Sequence, residues 1–132
     1  MTESVFQPKL VTSAIIFDGE KIKVLLAKRN KEPDKGKWAF PGGVGAFKYF
    51  QDPYKAVQKE VEIDFGCKFE GKYFCYNYDE KFEPTITLFF IGKIIGRLIL
   101  NQKQNSEIKW FKINEAKKTK LAFDHNCILK KL

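Results

Sequence analysis

"DPYKAVQKEVEIDFGC", Asp52 to Cys67, is the stretch whose reading decides the fold. Asp52-Pro53 is a helix start: an acceptor side chain at the N-cap, then proline in the first helical position. Val57, Val61 and Phe65 recur every four residues and form a buried stripe. Gly66 supplies the left-handed stop. The predicted helix therefore runs from about Pro53 to Phe65. Glu60 and Asp64, four apart, share a different face from the apolar stripe. Such a pair is either a solvated polar face with Glu/Lys contacts or two converging oxygen ligands for Mg²⁺ or Mn²⁺.

Outward from this helix the chain reads as strands. "VTSAIIF" (Val11–Phe17) and "IKVLLAK" (Ile22–Lys28) flank Asp18-Gly19, a tight-turn signal, and are expected to pair as a hairpin. "WAF" (Trp38–Phe40) is a short strand that stops at Pro41-Gly42-Gly43, where the chain is expected to leave regular structure. "KFEGKYFCYNY", "TITLFFIGKI" and "IKWF" are strand-like, and the apolar run Ile86–Leu100 reads as buried strands. "INEAKK" is a helical turn. Asp124 is expected to cap a last helix, His125–Leu132, with lysines at its negative end. Strands around one central helix, followed by a terminal helix, argue for an α+β fold or an α/β/α sandwich with a mixed sheet.

Composition sets limits. The 132 residues suit one domain, 1–132, and no repeat or low-complexity linker divides them. A 44% hydrophobic, 30% charged chain has enough apolar mass for a core. The net charge of +8 favours anionic partners or simply a soluble lysine-rich surface. No basic-only run suggests a nucleic-acid arm. The apolar run near residue 90 contains Lys93 and Arg97 and is too short to span a bilayer. Cys67, Cys75 and Cys127 are odd in number and lack CxxC spacing, and the N-terminus has no apolar signal core. A reduced, cytoplasmic protein without structural zinc is expected.

The segment from "KWAFPGG" through "FQDPYKAVQKEVEIDFGC" resembles the Nudix box. Aligning Gly66 with the last glycine of the box places Lys59 on its arginine. Glu60, Val61 and Gly66 match directly, and Cys67 stands at the final apolar position. Asp64 replaces the second glutamate of the terminal pair and Ile63 the first, while Gln51 falls on an earlier glutamate. Seven residues separate Gly43 from Gln51 where the family has five. "KVLLAKRNKEPDKGKWAFPGG" and "EIKWFKINEAKKTKLAFDHNCIL" are similar to the two ends of the ADP-ribose pyrophosphatase-like branch, so the resemblance covers nearly the whole chain.

The resemblance implies an α+β protein, a Nudix α/β/α sandwich with a central mixed β-sheet. It implies Mg²⁺- or Mn²⁺-dependent hydrolysis of a nucleoside diphosphate linked to another moiety, such as ADP-ribose. In the box, Lys59 and Glu60 would be catalytic, Lys59 orienting a neighbouring glutamate, and Gly42, Glu60 and Asp64 would hold the metal. Ile63 offers no ligand, Gln51 brings no charge, and Asp64 is one methylene short. The metal site is therefore expected to be weak, with a non-catalytic nucleotide-binding protein as the alternative. Asp52, Glu62, Asp79, Glu80 and Glu83 are the acids available to compensate.

Arg29, Gly43, Tyr78 and Phe82 are the substrate-binding candidates. Arg29 reads as a phosphate clamp or a strand-end surface charge. Tyr78 and Phe82 read as stacking partners or as packing against the sheet. Trp38 and Trp110 are expected in the core, His125 in a structural or helix-end role, and Cys67 as a small buried apolar group. The expected partner is a nucleotide-type small molecule, with no nucleic acid and no membrane. A homodimer is among the arrangements the resemblance implies.

Overall fold

The computed structural model describes residues 7–43, 52–103 and 105–132. Its strands are β1 (Lys9–Ile16), β2 (Lys23–Arg29), β3 (Trp38–Ala39), β4 (Gly42–Gly43), β5 (Lys68–Asp79), β6 (Thr85–Ile95) and β7 (Asn105–Lys112). Its helices are α1 (Pro53–Phe65), α2 (Ile113–Lys118) and α3 (His125–Leu129).

Helix α1 forms as its local chemistry dictates. The Asp52 carboxylate accepts the Tyr54 and Lys55 N–H groups at 2.9 and 3.4 Å. Gly66 closes the helix at φ 66° and donates its N–H to the Glu62 carbonyl. Both devices satisfy backbone groups that a helix end leaves without partners.

Two sheets result. Four strands in the order β4-β1-β6-β5 form a mixed sheet, and β3-β2-β7 form an antiparallel one. β1 runs parallel to β6, and β5 runs antiparallel to it. Alternate side chains feed two apolar clusters. Ala14, Ile16, Leu25 and Ala27 meet Val57, Val61 and Phe65 of α1. Ile15, Val24 and Leu26 point the other way, to Ala116 of α2 and Ile128 and Leu129 of α3. Period-two burial on both faces of β1 and β2 thus builds the α/β/α layering of an α+β fold.

The expected hairpin does not form. Among the described residues the pairing between the two runs is one bridge, Phe17–Val24, just past the end of β1, and β1 and β2 enter different sheets. The turn itself is present, with Asp18 accepting the Ile22 and Lys23 N–H groups at 2.9 and 3.1 Å. Each strand has a longer pairing elsewhere: β1 with β6 from Lys9 to Ile16, β2 with β7 from Lys23 to Arg29.

Gly42–Gly43 also departs from expectation, because it pairs with Thr12 and Ser13 of β1 as β4. A Cβ on Gly42 would collide with the Thr12 backbone, so only glycine admits this approach. The Ile86–Leu100 run is not all buried strand. β6 ends at Ile95, Gly96 turns at φ 112°, and Ile95 and Ile99 are exposed. The last helix stops at Leu129, and the Asp124 side chain makes no cap bond. Asn126 braces this segment instead, accepting the Leu121 N–H at 2.8 Å and donating to the Thr119 carbonyl at 2.7 Å. Trp38 and Trp110 pack half-buried at the margins of the clusters rather than at their centres.

Candidate functional site

A cavity of about 600 Å³ opens between α1, the mixed sheet and the loop before α3. Its floor is a row of short polar side chains: Ser13 of β1, Thr85 and Thr87 of β6, and Asn77 of β5. These lie on the face of the mixed sheet that α1 leaves uncovered. The row was legible only as an alternation of polar residues within strand-like runs, and sequence reasoning passed over it.

One end is acidic. Glu60 and Asp64 reach it from α1, together with Gly42 and Gly43 of β4 and Ile63. The two acids are not a solvated face: Glu60 is 9% exposed and Asp64 only 2%. Burial raises the Glu60 pKa. Burial, then the Glu60 charge, pushes Asp64 up to about 7. Lys31 opposes both shifts. Among the described residues the buried Asp64 Oδ1 atom has no hydrogen-bond partner. A buried oxygen left unpaired is costly unless a ligand satisfies it. Gly43 is held close against Glu60, where a Cβ would run into the carboxylate.

The other end is aromatic. Phe123 takes a left-handed backbone, φ 53°, and its N–H donates to Asp34 Oδ2 at 2.8 Å. The Arg29 guanidinium lies 4.7 Å from the Phe123 ring centroid, and Phe82 meets that ring edge-on at 6.0 Å. Arg29 Nε also donates to the Pro33 carbonyl at 2.8 Å. His125 sits behind, its Nδ1 accepting the Phe40 N–H at 3.1 Å. Burial and the Arg29 charge depress its pKa to about 3, so the imidazole is neutral and structural. Burial raises Asp124, as does the Asp79 carboxyl with which it shares a hydrogen bond.

The structure brings Arg29, Gly42, Gly43, Glu60, Asp64 and Phe82 to this one cavity. It puts Lys59 outside, 3.7 Å from the exposed Glu62 carboxylate. Tyr78 is also outside, 3.2 Å from Glu80, on the strand face opposite Asn77 and Asp79. Gln51 lies outside the described residues. Of the acids considered as compensation, Asp79 and Glu83 line the cavity, while Asp52 serves as the α1 cap. Lys31, Phe123 and Asp124 are cavity residues that sequence reasoning did not single out for binding. The "LAFDH" landmark was the signal for the last two.

The donor set suits a hard divalent cation: two carboxylates, one with an orphaned oxygen, beside a glycine backbone. Among the described residues no group of three His, Cys, Asp or Glu side chains converges on one point. Substrate oxygens would have to complete the shell. Among these residues, too, no helix is long and apolar enough to cross a membrane.

Residues 7–132 match the NUDIX domain family. The chain is 31% identical over 113 residues to the ADP-ribose pyrophosphatase of Methanocaldococcus jannaschii. That match takes in 82% of this chain and 64% of the relative, so the chain spans a little under two thirds of that protein's length. In structure it is similar to a MutT NUDIX hydrolase from Burkholderia pseudomallei, with a TM-score of 0.82 at 22% identity over 96% of this chain and 99% of that one. It is similar as well to the NUDIX domain of Shewanella oneidensis NrtR complexed with ADP ribose. There the TM-score is 0.83 at 19% identity, over 96% and 87% of the two chains.

Proposed function

This chain belongs to the NUDIX family, and from that premise we propose that it hydrolyses a nucleoside diphosphate linked to a second moiety, with ADP-ribose as the reference substrate. The observation that carries this reading is the buried Glu60–Asp64 pair on the cavity wall, with Asp64 Oδ1 left without a hydrogen-bond partner among the described residues. The likeness to an ADP-ribose pyrophosphatase supports the choice of substrate.

Glu60 and Asp64, with the Gly42 backbone, would hold Mg²⁺ or Mn²⁺. When bound, such an ion offsets the diphosphate charge and lowers the pKa of water. The chain's own groups do the rest. Gly43, lacking a Cβ, leaves room for the Glu60 carboxylate beside it. Thr87 and Asn77 offer hydroxyl and amide groups to a sugar. Phe82 and Phe123 offer ring surfaces to a base. Free thiols at Cys67, Cys75 and Cys127 suit a reducing cytoplasm.

The second reading, nucleotide binding without turnover, is favoured by Ile63, an apolar side chain standing 45% exposed beside the acid pair. Incubation with ADP-ribose and Mg²⁺ or Mn²⁺ separates the two. Release of AMP supports hydrolysis. Thermal stabilisation by ADP-ribose without any product, across a panel of nucleoside diphosphate compounds, supports binding alone.

A further inference from the structure

Among the described residues, three cationic side chains other than histidine line the cavity: Lys9, Arg29 and Lys31. Two are committed. Lys9 pairs with Glu83 at 3.1 Å. Arg29 donates to the Pro33 carbonyl and lies over the Phe123 ring. None of the ion pairs among the described residues involves Lys31.

Lys31 is nonetheless placed by its surroundings. Asn30 before it donates to the Gln102 carbonyl at 2.9 Å. Glu32 after it accepts the Lys35 N–H at 3.2 Å. The Gln102 segment is tied in turn to the end of α1: the Asn101 N–H donates to the Asp64 carbonyl at 2.9 Å, and Asn101 Nδ2 to the Ile63 carbonyl at 3.4 Å. Short hydrogen-bonded links therefore connect the Lys31 loop to the turn that carries the acid pair. Lys31 lines the same cavity as both carboxyls.

The charge balance gives this lysine a task. One divalent ion neutralises Glu60 and Asp64, and a diphosphate then brings negative charge of its own. Ile63 adds only apolar wall at this end. We infer that Lys31 is a phosphate-binding residue, its ammonium engaging the diphosphate oxygens beside the Glu60–Asp64 pair. The inference rests on the reading that the ligand is a diphosphate compound. It does not require that the compound be cleaved.

Calorimetric titration of the full chain with inorganic pyrophosphate in the presence of Mn²⁺, and with Mn²⁺ alone, tests it. Lys31→Ala should weaken pyrophosphate binding about tenfold, the loss expected for one charge-assisted hydrogen bond. Lys31→Arg should keep affinity within about threefold, since the charge remains. Mn²⁺ alone should bind Lys31→Ala about twofold more tightly, because a repelling charge has gone. A merely structural lysine would not move these two affinities in opposite directions. Equal pyrophosphate affinity in wild type and Lys31→Ala overturns the inference, as does parallel weakening of pyrophosphate and Mn²⁺. A wild-type chain that binds no pyrophosphate overturns it too. Pyrophosphate binding with the predicted Lys31 dependence, but no turnover of ADP-ribose, sinks the hydrolase reading alone.

Discussion

Asp64 and His125 are both buried, both ionisable and both on the wall of one cavity, yet the fold treats them oppositely. His125 has what it needs: its Nδ1 takes the Phe40 N–H, and the Phe40, Phe89 and Phe123 rings surround it. Asp64 lacks what it needs, with one carboxylate oxygen unpaired and Glu60 as its charged neighbour. A satisfied buried group holds a structure together. An unsatisfied one costs stability and is kept where a ligand can repay it.

The largest effect that could break this contrast is on turnover. Asp64→Asn should lower ADP-ribose hydrolysis by about a hundredfold or more, the scale of losing a metal ligand's charge. His125→Gln should lower it by less than about tenfold, and mainly through lost stability. Product release measured on both variants decides between them.

Stability should move the other way, and with pH. The folded pKa of Asp64, about 7, lies above its ordinary 3.8. Between these values the folded state binds more protons than the unfolded, so this group's contribution falls as pH rises from about 4 to 7. Metal-free Asp64→Asn should therefore be more stable than wild type at pH 8, by about 2–4 kcal/mol, and nearly equal to it at pH 4. For His125 the folded pKa, about 3, lies below 6.5. Its contribution is present above pH 6.5 and lost as pH falls toward 3. His125→Gln should be less stable than wild type at pH 7, with the gap closing in acid. Urea titrations at pH 4, 6 and 8 measure both trends. Like slopes for the two variants would show that they do not differ as described.

Two smaller effects sharpen the acid end. Gly43→Ala puts a methyl group into the Glu60 carboxylate and should weaken Mn²⁺ binding about tenfold. Unchanged affinity would mean that Glu60 does not need its present direction. Ile63→Glu adds a carboxylate at the cavity edge and should tighten Mn²⁺ binding by about three- to tenfold. An unaltered metal titration there would place the cation elsewhere.

Legibility in the sequence follows the range of the interactions. Helix α1 was readable because Asp52, Pro53, Gly66 and the Val57–Val61–Phe65 stripe act within a turn or two of one another. The spacing of Glu60 and Asp64 was readable for the same reason. Their burial was not, since it depends on what the fold brings against them, as β4 brings Gly43 against Glu60. Strand runs were visible in β1 and β2, but two strands buried on both faces do not declare their neighbours. The expected hairpin gave way to pairings with β6 and β7, more than sixty residues on. Phe123 is held by Asp34, 89 positions away, a tie that no local pattern announces. Lys31 sits in a polar loop without periodicity, so only the folded chain relates it to the acid pair.

The central claim is that Glu60 and Asp64 form a cation site completed by a diphosphate. Mn²⁺ binding followed by electron paramagnetic resonance, with and without inorganic pyrophosphate, tests it most directly. The account predicts one saturable Mn²⁺ site in the wild-type chain, tightened by pyrophosphate and lost in the Glu60→Gln/Asp64→Asn double variant. Equal binding in that variant, or no Mn²⁺ binding by wild type even with pyrophosphate, would contradict it.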